Sequence, residues 1–179
     1  MNPIKGLESW ETCTKCKIGS WAYKHVYGRG VLPCDLFFVG ESAGRAEDAI
    51  GEAFVGPAGR LLEKALVDVP GKKFFGNLLM CRPCDAAGGP NRAPLHEEVS
   101  NCQPRLVETL RLSKPQGLIL LGRVPALFWK SLFGTEVWNG PLLEAAHPAA
   151  LLRRGGTSAE GWDAYKKVFE TFAKETLRG

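Results

Sequence analysis

The sequence predicts an α/β fold, a three-layer α/β/α sandwich built on a central, mostly parallel sheet of four strands. Short apolar runs, typical of buried strands, alternate along the chain with segments in which leucines recur at helical spacing. Strands that are apolar along their whole length are buried on both faces, so helices must cover both sides of the sheet. No internal repeat or linker interrupts the pattern, and we expect a single domain over residues 1–179.

The first half of the chain supplies two strands and one helix. Residues 35–40, Asp-Leu-Phe-Phe-Val-Gly, form the first predicted strand. A polar, glycine-rich stretch follows, and the leucines within residues 60–67 then predict a helix. The second strand is predicted at 74–80, and it ends in a loop rich in glycine and proline.

The second half supplies two more strands and three helices. Its amphipathic pattern predicts a helix at 97–112, a third strand at 117–122 and a helix at 124–132. A weaker fourth strand is predicted at 142–146 and a closing helix at 162–177. The closing helix carries an apolar stripe made of Trp162, Tyr165, Val168, Phe169 and Phe172.

The loops that leave the carboxyl ends of these strands should build the site. In open α/β sheets those loops gather at one edge, where ligands bind. The rule places four segments near one another: 40–44, 77–84, 122–123 and 147–156.

The composition is that of an ordinary globular protein with a mild positive charge. The chain has 45% hydrophobic and 23% charged residues and a formal net charge of +4 at pH 7. This charge permits nucleic-acid binding without indicating it. No apolar run approaches the roughly 20 residues of a membrane-spanning helix, and the amino terminus lacks the apolar core of a secretory signal. We therefore expect a cytoplasmic protein with no membrane partner.

Four of the six cysteines have spacings that suit a metal site. Cys13 and Cys16 form a Cys-x-x-Cys pair, and Cys81 and Cys102, far along the chain, can complete a four-sulfur site. Such a site holds zinc or an iron–sulfur cluster, and a cytoplasmic location favours metal ligation over disulfides. Because Cys81-Arg-Pro-Cys84 is a second Cys-x-x-Cys, a zinc site made of two such pairs stays open at this point.

Several motifs resemble, in order and spacing, those of a known family. They are Gly40-Glu41-Ser42-Ala43-Gly44, Glu47-Asp48 with 51–56 (Gly-Glu-Ala-Phe-Val-Gly), 77–83 (Asn-Leu-Leu-Met-Cys-Arg-Pro) with 91–94 (Asn-Arg-Ala-Pro), and 147–153 (His-Pro-Ala-Ala-Leu-Leu-Arg). With the cysteine register, they resemble the iron–sulfur, thermostable-type (family 4) uracil-DNA glycosylases. The resemblance runs from Cys13 to about Arg154, which is most of the chain. Ser42-Ala43 departs from the family, which has Ala-Pro there.

The resemblance implies a structural 4Fe-4S cluster that ties the amino terminus to the loop after the second strand. The implied ligands are Cys13, Cys16, Cys81 and Cys102. Cys84 and Cys34 are then non-ligands, and Cys34 is most simply a small buried hydrophobic residue.

The resemblance also implies a base pocket that includes Gly40, Phe54, Asn77 and Glu47. Uracil must leave the base stack before its glycosidic bond can be reached, and Phe54 offers it an aromatic face. The Asn77 amide can donate to uracil O4 and accept from N3–H, a pattern that cytosine reverses. Glu47 resembles the family residue that fills the space a thymine methyl would need. Without the resemblance, the sequence favours Phe54 as a core residue after a turn, and the alternative for Glu47 is a solvated helix acid.

Three residues are implied in the chemistry. Bond cleavage leaves negative charge on the departing uracil, and His147 is implied to stabilise it by a hydrogen bond to uracil O2. By position alone, a His-Pro pair is often only a turn. Glu41 and Ser42 lie where the superfamily positions its attacking water. Ser42 aligns with the catalytic aspartate of other branches, and its hydroxyl can orient water although it is a poor base.

The segment after His147 is implied to hold DNA. Leu151 and Leu152 can wedge into the stack that the base has left, and Arg153 and Arg154 can bind phosphates. The alternative is a short helix that ends in a solvated basic turn.

These features predict a monomeric DNA repair glycosylase that hydrolyses the N-glycosidic bond of deoxyuridine in single- or double-stranded DNA. It would release uracil and leave an abasic site. Two alternatives stay open. One is a non-catalytic nucleic-acid-binding module on the same fold, in which Ser42-Ala43 would indicate lost activity. The other is a glycosylase for other deaminated bases, such as hypoxanthine or xanthine.

Overall fold

The computed structural model describes residues 4–178 and is centred on one five-stranded sheet, in the order β1-β3-β2-β4-β5. The strands are β1 (Arg29–Gly30), β2 (Leu36–Ser42), β3 (Lys73–Leu79), β4 (Gly117–Leu121) and β5 (Leu142–Ala145). Strands β2 to β5 are parallel to their neighbours, whereas β1 runs antiparallel to β3. The mostly parallel α/β fold predicted from the sequence is confirmed.

Helices follow the strands along the chain. They are α1 (Arg45–Ile50), α2 (Pro57–Ala65), α3 (His96–Ser113), α4 (Arg123–Phe128), α5 (Gly134–Val137), α6 (Pro148–Leu152) and α7 (Trp162–Thr176). A π turn, Trp129–Phe133, extends α4, and 3-10 turns lie at Glu8–Trp10, Lys17–Ser20 and Gly156–Ser158. Within residues 4–178, none of the helices is long and apolar enough to cross a bilayer.

The prediction of four strands was wrong, because the sheet has a fifth, β1, at one edge. Arg29 and Gly30 pair with Phe75 and Phe74 of β3. An arginine and a glycine form no apolar run, so β1 leaves no pattern in the sequence. At Gly30, where φ is +128°, a side chain would collide with the Lys73 carbonyl, so glycine lets β1 approach β3.

Other differences concern short or irregular helices. Helices α1 and α6 have six and five residues, too few for a helical period to show in the sequence. The helix predicted at 124–132 is interrupted by the π turn at Trp129. Val168, predicted on the apolar stripe of α7, is 41% exposed, whereas Tyr165 and Phe169 are buried as predicted.

Side chains that alternate along β2 pack on both faces of the sheet. Phe37 and Val39 belong to a core cluster with residues of α3 and the π turn, and Phe37 packs edge-on against Phe74 at 5.1 Å. Leu36 and Phe38 belong to a second cluster with residues of α2 and α7. Because helices cover both faces, the carboxyl edge of the sheet is where a site can form.

Candidate active site and cysteine pocket

The carboxyl ends of the parallel strands bring the base-pocket residues together. Gly40 of β2 lies opposite Asn77 of β3 in the register of the sheet. Gly122, which follows β4, donates a hydrogen bond to the Ala145 carbonyl at 2.8 Å. A Cβ on Gly122 would lie 3.0 Å from the Cβ of His147, so the β4 loop and His147 are in close contact. The sheet thus gathers these residues at one edge.

Gly40 makes room for the two side chains beside it. A Cβ at this position would collide with Asn77 Oδ1 and lie 2.6 Å from the ring of Phe54. Asn77 and Phe54 are both buried. The Phe54 ring stacks toward the imidazole of His147, with centroids 6.2 Å apart and planes 29° from parallel. The Asn77 amide and the Phe54 ring therefore meet at one glycine, and the His147 imidazole lies beside that ring.

Phe54 is held in a strained backbone conformation. Its φ is +56°, which a bulky residue seldom adopts. Arg29 of β1 fixes this turn, because its Nε donates to the Ala53 carbonyl at 2.9 Å and its Nη2 to the Phe54 carbonyl at 3.2 Å. Gly59 of α2 approaches the Phe54 carbonyl so closely that no side chain fits there. The sequence analysis missed Arg29, since a lone arginine between glycines carries no signal.

The Glu47 carboxylate is fixed between two glycine-containing turns. Its Oε1 accepts a hydrogen bond from the Gly56 amide at 2.8 Å. A Cβ on Gly44 would lie 2.7 Å from Oε2. Glu47 is half-buried and close enough to His147 to act on its charge. It is therefore an anchored acid and not a freely solvated one.

His147 caps α6 and is neutral at physiological pH. Burial, with a further contribution from Arg153, lowers the pKa of His147 to about 4. Its Nδ1 accepts a hydrogen bond from the Ala149 amide at 3.2 Å. In the neutral ring that contact assigns the proton to Nε2, which can donate to a ligand.

Glu41 and Ser42 occupy the last two positions of β2. Ser42 lies opposite Leu79 of β3, so the pairing of the two strands continues two positions beyond Gly40 and Asn77. Both residues are half-buried, and burial raises the pKa of the Glu41 carboxyl above its ordinary value. A carboxyl with a raised pKa accepts a proton more readily near neutral pH.

The four residues predicted to hold DNA differ in exposure. Leu151 is 8% exposed and packs in the core cluster of α2 and α7, whereas Leu152 is 41% exposed. Arg153 and Arg154, which follow α6, are exposed. One leucine and two cations therefore face solvent at the rim of the site.

The four predicted metal ligands line one small pocket. Its walls include Cys13, Cys16, Cys81 and Cys102 together with Ile18, Leu79, Met80 and Asn101. Cys84 lies outside it and is buried with its thiol 3.7 Å from the Arg82 carbonyl. Cys34 is also buried elsewhere, and burial raises the pKa of its thiol to about 11.

Helix α3 anchors the amino-terminal segment that supplies two of these cysteines. Trp10 donates its indole N–H to Glu108 Oε2 at 2.8 Å, and Asn101 donates to the Lys15 carbonyl at 3.2 Å. The Lys15 ammonium lies 4.6 Å from the centre of the Trp10 ring. These contacts bring the Cys-x-x-Cys turn against Cys102.

The donor set of the pocket consists of thiols. Burial raises the pKa of Cys81 and of Cys16, and neighbouring cysteines add to both shifts. A site lined by four cysteine sulfurs fits an iron–sulfur cluster. Over residues 4–178, no three His, Cys, Asp or Glu side chains stand close enough together to hold a single metal ion.

Two charged motif residues serve the fold of the loop after β3. Arg82 and Asp48 are buried and face each other, with Nε and Oδ2 3.5 Å apart. Asp48 also accepts from the Tyr23 amide at 3.0 Å, and Arg82 donates to Asn91 Oδ1 at 2.7 Å. The acidic pair, the Cys-Arg-Pro motif and the Asn-Arg-x-Pro motif are thus joined by one buried network.

The family model of the uracil DNA glycosylase superfamily matches residues 28–173. The chain belongs to that superfamily. It is similar to curated proteins named Type-4 uracil-DNA glycosylase. One, from Archaeoglobus fulgidus, is 33% identical over 92% of this chain and 90% of its own length. Those from Pyrobaculum aerophilum and Thermotoga maritima are 32% and 30% identical, over 84% and 82% of this chain and 84% and 81% of their own lengths.

Proposed function

We propose that this protein is a DNA repair enzyme, a uracil-DNA glycosylase that hydrolyses the N-glycosidic bond of deoxyuridine and leaves an abasic site. The observation that carries the proposal is the contact of the Asn77 amide and the Phe54 ring at Gly40, with the His147 imidazole beside the same ring. Its Type-4 relatives match most of the chain.

Base selection rests on Asn77, Phe54 and Glu47. A uracil stacked on Phe54 presents O4 and N3–H to the buried Asn77 amide, and cytosine would leave polar groups unpaired at a cost of ~1–3 kcal/mol each. The anchored Glu47 carboxylate excludes the thymine methyl. Gly40 leaves room for both of these side chains, because any side chain there would displace Asn77 or Phe54.

Bond cleavage rests on His147, Glu41 and Ser42. The neutral His147 ring donates from Nε2 to uracil O2 and stabilises the negative charge as it develops. Glu41 accepts a proton from the attacking water, and the Ser42 hydroxyl orients that water. Burial of Glu41 favours this role, since it raises the pKa of the carboxyl.

DNA binding rests on the rim after His147. The exposed Leu152 enters the gap left by the flipped base, Leu151 anchors it in the core, and Arg153 and Arg154 bind phosphates. The substrate is uracil-containing DNA, single- or double-stranded. We further propose that the enzyme acts as a cytoplasmic monomer of one domain.

A labelled oligonucleotide with one uracil tests the activity. Incubation followed by alkaline cleavage should cut the strand at uracil and leave matched thymine and cytosine strands intact. Asn77→Ala should lose most uracil release while DNA affinity changes little, and the exposed Asn139→Ala serves as the matched control. If Asn77→Ala is as active as the parent, the pocket is misassigned. If the protein binds DNA but releases no uracil, a non-catalytic module is favoured. If it releases hypoxanthine or xanthine in preference to uracil, its base range is different from the one proposed.

The same proposal includes a 4Fe-4S cluster bound by Cys13, Cys16, Cys81 and Cys102. When bound, the cluster supplies a structural tie between the amino-terminal segment and α3. The protein purified without oxygen should contain iron and sulfide. Cys102→Ala should lose both and lose stability, whereas Cys84→Ala should keep them. A fully folded, colourless parent with stoichiometric zinc would contradict this assignment.

A further inference from the structure

A completely buried arginine lies between the cysteine pocket and the base pocket. Arg105 of α3 is 0% exposed. Its Nη2 donates to the carbonyls of Asn77 at 2.7 Å and Leu78 at 2.9 Å, and it lies 3.5 Å from Cys102 Sγ. One guanidinium therefore touches both the end of β3 that presents Asn77 and a cysteine of the pocket.

The positive charge of Arg105 has no carboxylate partner among residues 4–178. Its Nε and Nη1 are buried and make no hydrogen bond within the same described residues. The Tyr27 hydroxyl, also buried and without a partner there, is within electrostatic range of Cys13, Cys81 and Arg105. A buried guanidinium stays charged, so it requires a compensating negative group nearby.

We propose that Arg105 is a positioning residue that neutralises an anionic four-cysteine cluster and, through the same guanidinium, fixes the β3 backbone that carries Asn77. The inference rests on the proposed function. The four thiolates carry more negative charge than the iron–sulfur core carries positive charge. The pocket with its cluster bound is therefore a net anion and supplies the negative partner of Arg105. The two carbonyl contacts then transmit the position of the cluster wall to the base-reading amide, because one of the two carbonyls belongs to Asn77 itself.

Iron release and single-turnover kinetics on the loaded enzyme test this role. Arg105→Met keeps a long unbranched side chain but removes the charge, and Arg105→Lys keeps the charge. Arg105→Gln repeats the neutral test with a polar side chain, so the result does not depend on one variant folding. Thr109→Val is the matched control, because Thr109 is fully buried one turn along α3 and bonds only to the Arg105 carbonyl.

The neutral variants should release iron to a chelator about tenfold faster than the parent, and Arg105→Lys within about threefold of it. On molecules that retain iron, uracil release at saturating DNA should slow about tenfold in Arg105→Met and recover partly in Arg105→Lys, with little change in DNA affinity. Thr109→Val should match the parent in both measurements.

Two results would overturn the inference. The first result is that Arg105→Met retains iron as well as the parent does, or better than Arg105→Lys does. This would mean that the side chain acts by packing, since Met suits a buried site better than Lys. A parent that holds no iron or releases no uracil would overturn the proposed function and this inference with it. If the parent holds iron and releases uracil, and Arg105→Met equals it in both measurements, this inference alone is overturned.

Discussion

The low pKa of His147 predicts that this residue makes the fold sensitive to mild acid. Folding lowers the pKa from 6.5 to about 4, so between those values the unfolded chain binds a proton that the folded protein does not. The contribution of His147 to stability is therefore complete above pH 6.5 and is lost as the pH falls toward 4. The shift corresponds to a total of about 3 kcal/mol, of which about 1.3 kcal/mol is lost between pH 7.5 and 5.5.

Urea denaturation of the parent and of His147→Gln at both pH values measures this difference. Glutamine keeps a polar side chain that does not titrate, so carboxylates that respond in the same window cancel in the comparison. The parent should lose about 1.3 kcal/mol more than the variant on going to pH 5.5. Ring resonances of His147 should show no titration between pH 5.5 and 8. A His147 midpoint near 6.5, or equal losses in the two proteins, would refute a buried neutral imidazole.

Three further outcomes are expected. Glu47→Ala should allow some thymine release in the oligonucleotide assay, because it removes the anchored carboxylate, and failure to gain any would remove Glu47 from base selection. Arg29→Met should slow single-turnover uracil release about tenfold with DNA affinity kept, because strain of order 1–3 kcal/mol at Phe54 is no longer restrained. Arg153→Ala should weaken DNA binding and reduce its salt slope by about one, with little change at saturating DNA, and an unchanged slope would exclude a phosphate contact.

The interior of the sheet was predictable because its strands are apolar along almost their whole length. In β2 and β4 the residues from Leu36 to Val39 and from Leu118 to Leu121 are all buried, so a simple run of apolar letters marks each strand. Edge strand β1 and helix α1 carry no such run, and α6, with five residues, is too short for a helical period to show.

Cysteine spacing alone left two ligand sets open, and only the family resemblance favoured one. Cys81 and Cys84 are both buried, so burial does not distinguish them. What separates them is direction: Cys81 lines the pocket with Cys102, whereas the Cys84 thiol points at the Arg82 carbonyl. Arg105 was not predicted at all, because an arginine in an amphipathic helix is ordinarily a solvated residue.

The glycines of the matching motifs have a physical explanation in two side chains, Phe54 and Glu47. A Cβ on Gly40 or Gly59 would intrude on Phe54, and one on Gly44 or on the glycine that bonds Glu47 Oε1 would crowd the Glu47 carboxylate. Each of the two side chains is thus enclosed by glycine backbone on two sides, so its position is set before a base arrives. In the proposed base pocket, side chains fixed in this way would select by fit and hydrogen bonding without rearrangement. The glycine spacing along 40–59 is therefore explained by the packing of Phe54 and Glu47.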